Sequence, residues 1–192
     1  MIRTAIFGGS FDPIHTGHAM VANYVAQSGI VDEVWLMPGR INPLKAGTAP
    51  ASDAHRLAMC RLVAEDCAET NVCDAEMSLP APSYTVNTMR HLVAQYPDRR
   101  FSLLIGSDNW LCFDQWHEHD WLLSNFEIIV YPRPGYNIDP QSMPAGVTIL
   151  QAAPMALISS TFVRDGFAAG RNMNFFIPAK VLNYINKHQI YG

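Results

Sequence analysis

Six short apolar runs, at residues 4–7, 33–37, 70–73, 101–105, 127–131 and 147–150, alternate along the chain with segments of helical periodicity. Runs of this kind, rich in β-branched residues and separated by helices, predict an α/β fold with a doubly wound parallel sheet and helices on both faces. Among the helices, Ala22, Val25 and Ala26 form a stripe that ends at Gly29, and Val86, Met89 and Val93 recur at i, i+3 and i+7. Residues 178–187 place Pro178 at a first helical position and Val181, Leu182 and Ile185 on one face. Residues 38–50 and 132–144 collect Pro, Gly, Asn and Ser and read as loops. In sheets of this type ligands gather at the carboxyl ends of the strands, so the turns that follow them are where chemistry is expected.

With 192 residues, 49% hydrophobic and 16% charged, the chain can bury one sizeable core, and a single domain over 1–192 is expected. Its first residues lack the apolar stretch and cleavage pattern of a secretory signal, and no apolar run approaches the roughly 18 residues of a membrane span. A cytoplasmic protein without a membrane partner follows as the expectation. A net charge of −4 argues against a broad nucleic-acid footprint. Cys60, Cys67, Cys73 and Cys112 show no C-x-x-C pair and are expected to be buried free thiols.

After the first run comes Gly8-Gly9-Ser10-Phe11-Asp12-Pro13-Ile14-His15-Thr16-Gly17-His18, with a helix opening near its end. Glycines let backbone amides approach an anion, and a helix N-terminus adds partial positive charge. Taken singly, the glycines also fit a tight turn and the histidines ordinary polar positions. A metal site would need Asp12 as a third ligand and ranks below phosphate binding. The dinucleotide fingerprint G-x-G-x-x-G is missing, which counts against hydride chemistry.

Near the other end, Ile158-Ser159-Ser160-Thr161-Phe162-Val163-Arg164 precedes a helical segment ending by Gly170. Its hydroxyl residues suit a helix N-cap, and Arg164 lies about one turn inside, offering a planar donor fork. By itself this is also an ordinary capped helix with a solvated arginine.

Together the two segments resemble the H-x-G-H and I-S-S-T-x-x-R motifs of the nucleotidyltransferase superfamily. The resemblance implies a Rossmann-like fold in which Gly9, Ser10 and Phe11 pack against ATP, and His15 and His18 contact its phosphates and stabilise charge at the α-phosphate. Ser159, Ser160, Thr161 and Arg164 would hold the β- and γ-phosphates. The middle of the chain is similar to the nicotinate mononucleotide adenylyltransferases. Ser83-Tyr84-Thr85 matches their S-Y-T element, which implies that Tyr84 and Thr85 lie beside the nicotinate carboxylate. Leu104-Ile105-Gly106-Ser107-Asp108, followed by Phe113-Asp114-Gln115-Trp116, implies nucleotide contact at Gly106 and Asp108 and stacking of Trp116 on the cationic pyridine ring. The family's P-x-x-x-P-P-H-K loop appears as Pro38 to Lys45, with Leu44 replacing its histidine and Lys45 kept for the mononucleotide. Arg40 reads either as a substitute or as a solvated charge, and His117, Glu118 and His119 as a solvated turn.

The implied reaction is adenylyl transfer from ATP to nicotinate mononucleotide, with Mg²⁺ accompanying the ATP and no dedicated protein metal cage. An acceptor phosphate is already anionic near neutral pH and needs no nucleophilic side chain. Two other readings are a phosphopantetheine adenylyltransferase, which commonly has Thr where His15 stands, and a catalytically silent nucleotide sensor on the same fold.

Overall fold

A computed structural model describes residues 1–40, 51–80 and 82–191. Its strands are β1 (Ile2–Gly9), β2 (Glu33–Pro38), β3 (Thr70–Val72), β4 (Arg99–Gly106), β5 (Glu127–Tyr131) and β6 (Val147–Ile149), so every apolar run is a strand. They form one parallel sheet in the order β3-β2-β1-β4-β5-β6. The order reverses between β1 and β4, and at such a switch point the strand ends open a crevice for ligand. The helices are α1 (Thr16–Gln27), α2 (Asp53–Ala64), α3 (Ala75–Ser78), α4 (Thr85–Gln95), α5 (Ser107–Trp110), α6 (His119–Asn125), α7 (Ser160–Ala168) and α8 (Ala179–His188).

Side chains alternate across a strand, and the two cores follow that alternation. Ala5 and Phe7 of β1 join apolar residues of α1, α2, α7 and α8 on one face, whereas Ile6 joins those of α4 and α6 on the other. Leu36, Leu104, Ile128 and Ile129 are all under 2% exposed. Burying each such side chain contributes about 1.5–3 kcal/mol. Among the described residues no helix is long and apolar enough to cross a membrane.

Several local expectations need correction. In α4 the buried stripe is Val86, Met89 and Leu92, which drifts round the helix and leaves Val93 47% exposed. Pro178 is the N-cap of α8, one position before the helix proper. Cys60 and Cys73 are buried, but Cys67 and Cys112 are only partly so. The turn before α6 is exposed at His117 and Glu118, as expected, and there Glu118 accepts two bonds from Arg90 at 2.9 and 2.7 Å while the His117 ring stacks on Tyr84. Helix α2 has no clear apolar period because Arg56, fully buried, occupies one of its core-facing positions.

Candidate active site

At the carboxyl end of β1, His15 is the N-cap of α1 and His18 lies in the helix's first turn. Their rings stack at 3.7 Å between centroids with planes 24° apart. Gly17 leaves room beside the stack, since a Cβ there would sit 3.1 Å from the His15 ring and press on it. Phe11 is 1% exposed and meets the His18 ring edge-on at 5.0 Å, so its place is behind the imidazole, fixing that ring, and not on the open surface. The His15 backbone N–H donates to His18 Nδ1 at 3.3 Å. That bond assigns the proton of neutral His18 to Nε2, leaving Nε2–H as the donor available to a ligand. The Nδ1 of His15 is buried without a partner among the described residues.

Burial, and next the nearby Arg133, lowers the pKa of His15 to about 4. Burial, the His15 ring and Arg133 likewise hold His18 well below the usual histidine range. The free protein therefore carries a pair of neutral histidines near pH 7. Arg133 follows β5, lines the same cleft as both histidines, and donates from Nη1 to Asp108 Oδ2 at 2.6 Å. Its own backbone N–H donates to Ser107 Oγ at 2.9 Å. Asp108 stands in α5, directly after β4, and its Oδ1 is buried without a partner among the described residues. Gly106 leaves room for the Asp108–Arg133 pair: a Cβ would lie 2.3 Å from Asp108 Oδ1 and 2.8 Å from Arg133 Cδ, so those side chains would have to shift.

The loop from Gly9 to Pro13 is tied to distant elements through its own polar groups. The Gly9 carbonyl accepts from Gly39 N–H at 2.8 Å. Arg56 Nη1 donates to the carbonyls of Ser10 and Gly39, at 2.6 and 2.7 Å. Arg164 Nη1 donates to the Asp12 carbonyl at 2.6 Å, and Ser160 Oγ to the Pro13 carbonyl at 2.9 Å. The two terminal motifs are thus in direct contact. Ser159 Oγ accepts from Phe162 N–H at 3.1 Å and caps α7, and Thr161 Oγ1 accepts from Arg164 Nη2 at 3.2 Å. Asp12 Oδ1 accepts from Ala51 N–H and Tyr191 O–H, which makes this carboxylate a structural junction.

On the opposite core's side, Tyr84 is the N-cap of α4 and Thr85 its first residue. Tyr84 and His117 stack at 4.5 Å and help line a cavity of about 330 Å³. Trp116 immediately precedes His117 and packs against Phe113, 5.2 Å away, as a partly buried edge of the core. This segment is therefore brought to the start of α4, but Trp116 does not line that cavity among its described walls. Leu44 and Lys45 lie outside the described residues. Arg40 is exposed and donates from Nη1 to the Leu79 carbonyl at 3.0 Å.

Arg56, Arg133 and Tyr191 escaped the sequence analysis. Arg133 had a usable signal, since it stands two positions beyond a parallel strand, where ligands gather. Arg56 and Tyr191 had none, because their roles depend on contacts with residues far away in the chain.

Comparison with known proteins agrees with this architecture. Residues 6–166 match the cytidylyltransferase-like family. A Bacteroides fragilis protein named probable nicotinate-nucleotide adenylyltransferase is 42% identical over 183 residues, covering 95% of this chain and 90% of the relative. A Bacteroides thetaiotaomicron protein of the same name is 40% identical, covering 97% and 92%. The solved structure of Plasmodium falciparum nicotinic acid mononucleotide adenylyltransferase complexed with NaAD superposes with a TM-score of 0.83 at 21% identity, covering 100% of this chain and 98% of that one. At that identity the likeness concerns the fold alone. The chain belongs to the cytidylyltransferase-like family and, within it, groups with the nicotinate-nucleotide adenylyltransferases.

Proposed function

We propose that this protein transfers AMP from ATP to nicotinate mononucleotide, releasing pyrophosphate and forming nicotinate adenine dinucleotide. The observation that carries this reading is the stacked His15–His18 pair at the β1/β4 switch point, bonded through its loop to Arg164 of α7. An oxygen of the mononucleotide 5′-phosphate attacks the α-phosphorus of ATP in line. The new O–P bond forms as the bond to the β-phosphate oxygen breaks, and pyrophosphate carries away the charge. The attacking phosphate is already largely ionised, its second pKa being about 6, so no side chain has to remove a proton. What the protein supplies is position and donors aimed at the developing charge.

In this mechanism His18 Nε2–H and His15 contact the α-phosphate region, and the Gly9, Ser10 and Phe11 segment lies along the nucleotide. Asp108 Oδ1 accepts from a ribose hydroxyl beside Gly106. Since Ser159, Ser160 and one edge of Arg164 are already bonded within the fold, the outer phosphates meet chiefly the first amides of α7 and the remaining Arg164 N–H groups. Lys45 takes the mononucleotide phosphate, Tyr84 and Thr85 receive the carboxylate at the start of α4, and Trp116 stacks on the pyridine ring.

Nucleotidyltransferases acting on ATP generally use a divalent metal, and we assign Mg²⁺ here. Asp12 spends its Oδ1 on Ala51 and Tyr191, so the ligands of the ion would be phosphate oxygens and water, which suits its reluctance to dehydrate. When bound it neutralises phosphate charge.

A panel of nicotinate mononucleotide, nicotinamide mononucleotide and phosphopantetheine, each mixed with ATP, tests the reading through pyrophosphate release. Turnover should be greatest with nicotinate mononucleotide. Preference for phosphopantetheine, or nucleotide binding without any release, would reject it in favour of the corresponding rival.

A further inference from the structure

Asp12 is 7% exposed, and its Oδ1 accepts a hydrogen bond of 2.5 Å from the Tyr191 hydroxyl together with one of 3.0 Å from Ala51 N–H. Tyr191 lies beyond α8, where the chain turns back through Gln189 at φ 51° and Tyr191 itself at φ 69°. Side chains other than glycine disfavour this left-handed region, so the turn persists only because its surroundings hold it. The Gln189 turn is held by the helix C-cap itself, through Ile190 N–H to the Ile185 carbonyl at 3.1 Å, and Tyr191 is held by the bond to Asp12 and by stacking of its ring on Phe167, 6.1 Å between centroids and 24° between planes. Burial and the Asp12 carboxylate both push the phenol's pKa up, and the hydroxyl stays a donor throughout the working pH range.

Asp12 is also where the two phosphate-facing segments meet. Its backbone carbonyl accepts from Arg164, the next carbonyl accepts from Ser160, and two residues after that comes His15. Ala51, which immediately precedes the N-cap of α2, and Tyr191 both donate to the same carboxylate oxygen, so they tether the Asp12 side chain and with it the residue whose carbonyl Arg164 holds. We infer that Tyr191 is a positioning residue for adenylyl transfer, acting through the Asp12 carboxylate to set the loop that leads into His15 and His18 in register with Arg164 of α7. The inference rests on the function proposed above. None of the contacts of Tyr191 with Asp12 or Phe167 reaches a reacting atom, so its effect is on geometry, where a displacement of about 1 Å can cost about 10²-fold in rate.

The test compares Tyr191→Phe, which removes only the hydroxyl, with Phe167→Leu, which removes only the stacking partner. Tyr191→Phe should lower kcat about 10-fold with a small change in KM for ATP when assayed well below its thermal midpoint, which also falls because a hydrogen bond to a buried carboxylate is lost. Phe167→Leu should lower the midpoint and keep kcat when assayed well below it. In an Arg164→Ala background Tyr191→Phe should add little, since both changes release the same loop. Tyr191→Phe with kcat within about twofold of wild type, or with effects fully additive to those of Arg164→Ala, overturns the proposal. If the wild type does not adenylylate nicotinate mononucleotide, the proposed function fails instead, and the loop is then read without turnover. Backbone amide NMR shifts of Asp12 to His18 should move in Tyr191→Phe, and unmoved shifts overturn the positioning role.

Discussion

Arg164 Nη1 donates to the backbone carbonyl of Asp12 at 2.6 Å, joining the first turns of α7 to the loop that leads into α1. Its Nη2 donates to Thr161 Oγ1 at 3.2 Å, so the guanidinium is braced from two sides. The arginine thus serves the loop as well as any bound phosphate. Arg164→Ala should weaken ATP and pyrophosphate binding while adenosine affinity scarcely moves, and it should also lower kcat because the loop loses an anchor. Arg164→Lys should restore part of the binding but little of kcat, since a point charge cannot bridge two acceptors in a plane. Equal losses for ATP and adenosine would indicate a folding defect.

His18→Ala should reduce kcat by about 10² or more and ATP affinity much less, because in the proposed mechanism Nε2–H acts on charge that develops in the transition state. His15→Ala should weaken both, as it removes the phosphate contact proposed for His15 and the ring on which His18 is stacked. Isothermal titration beside steady-state kinetics separates the two effects, and a near-normal kcat for His18→Ala rejects the assigned role.

The histidine pair makes stability depend on pH with a definite sign. His15 has a pKa of about 4 in the folded protein against a reference of 6.5, so below neutrality the unfolded chain binds more protons than the native one. Its contribution is complete above pH 6.5 and is lost as pH falls toward 4. For His15 alone this loss amounts to about 3 kcal/mol. Urea unfolding of the wild type and of His15→Gln at successive pH values should show the gap between them closing on acidification over that window. A gap independent of pH contradicts the shift.

Gly106→Ala would put a Cβ 2.3 Å from Asp108 Oδ1 and 2.8 Å from Arg133 Cδ, so the side chains of the Asp108–Arg133 pair must shift from their present positions. The substitution should cost about 1–3 kcal/mol of stability and weaken nucleotide binding together. Chemical denaturation with a nucleotide titration checks both, and a variant with wild-type stability and affinity would show that the strand end can yield.

Discrimination between acid and amide substrates should depend on the start of α4 and not on the indole. A carboxylate accepts from helix amides and from Thr85 Oγ1, whereas an amide offers them an NH₂ donor. That mismatch should cost about 1–3 kcal/mol in kcat/KM. Trp116→Ala should raise KM for both mononucleotides alike and leave their ratio unchanged. A variant defective with one substrate only would reject stacking on the shared ring.

The strands were legible because a parallel sheet buried on both faces demands continuous apolar runs, and those runs stand out against everything between them. Both terminal motifs were legible for a different reason: their residue types and spacing resemble those of a known family, and in the first of them the glycines and histidines directly after a strand also have local geometric roles. Helix α2 was not, since a core position filled by Arg56 removes the period that marks a helix. What only the tertiary structure decided is how the loop between the motifs is held. The carbonyls of Ser10, Asp12 and Pro13 are claimed by Arg56, Arg164 and Ser160, and the Asp12 carboxylate by Tyr191, a residue 179 positions along the chain. Hydrogen bonds between groups so far apart leave no spacing or periodicity behind, because the backbone supplies an identical carbonyl at every position and only the packed sheet determines which of them a distant side chain can reach.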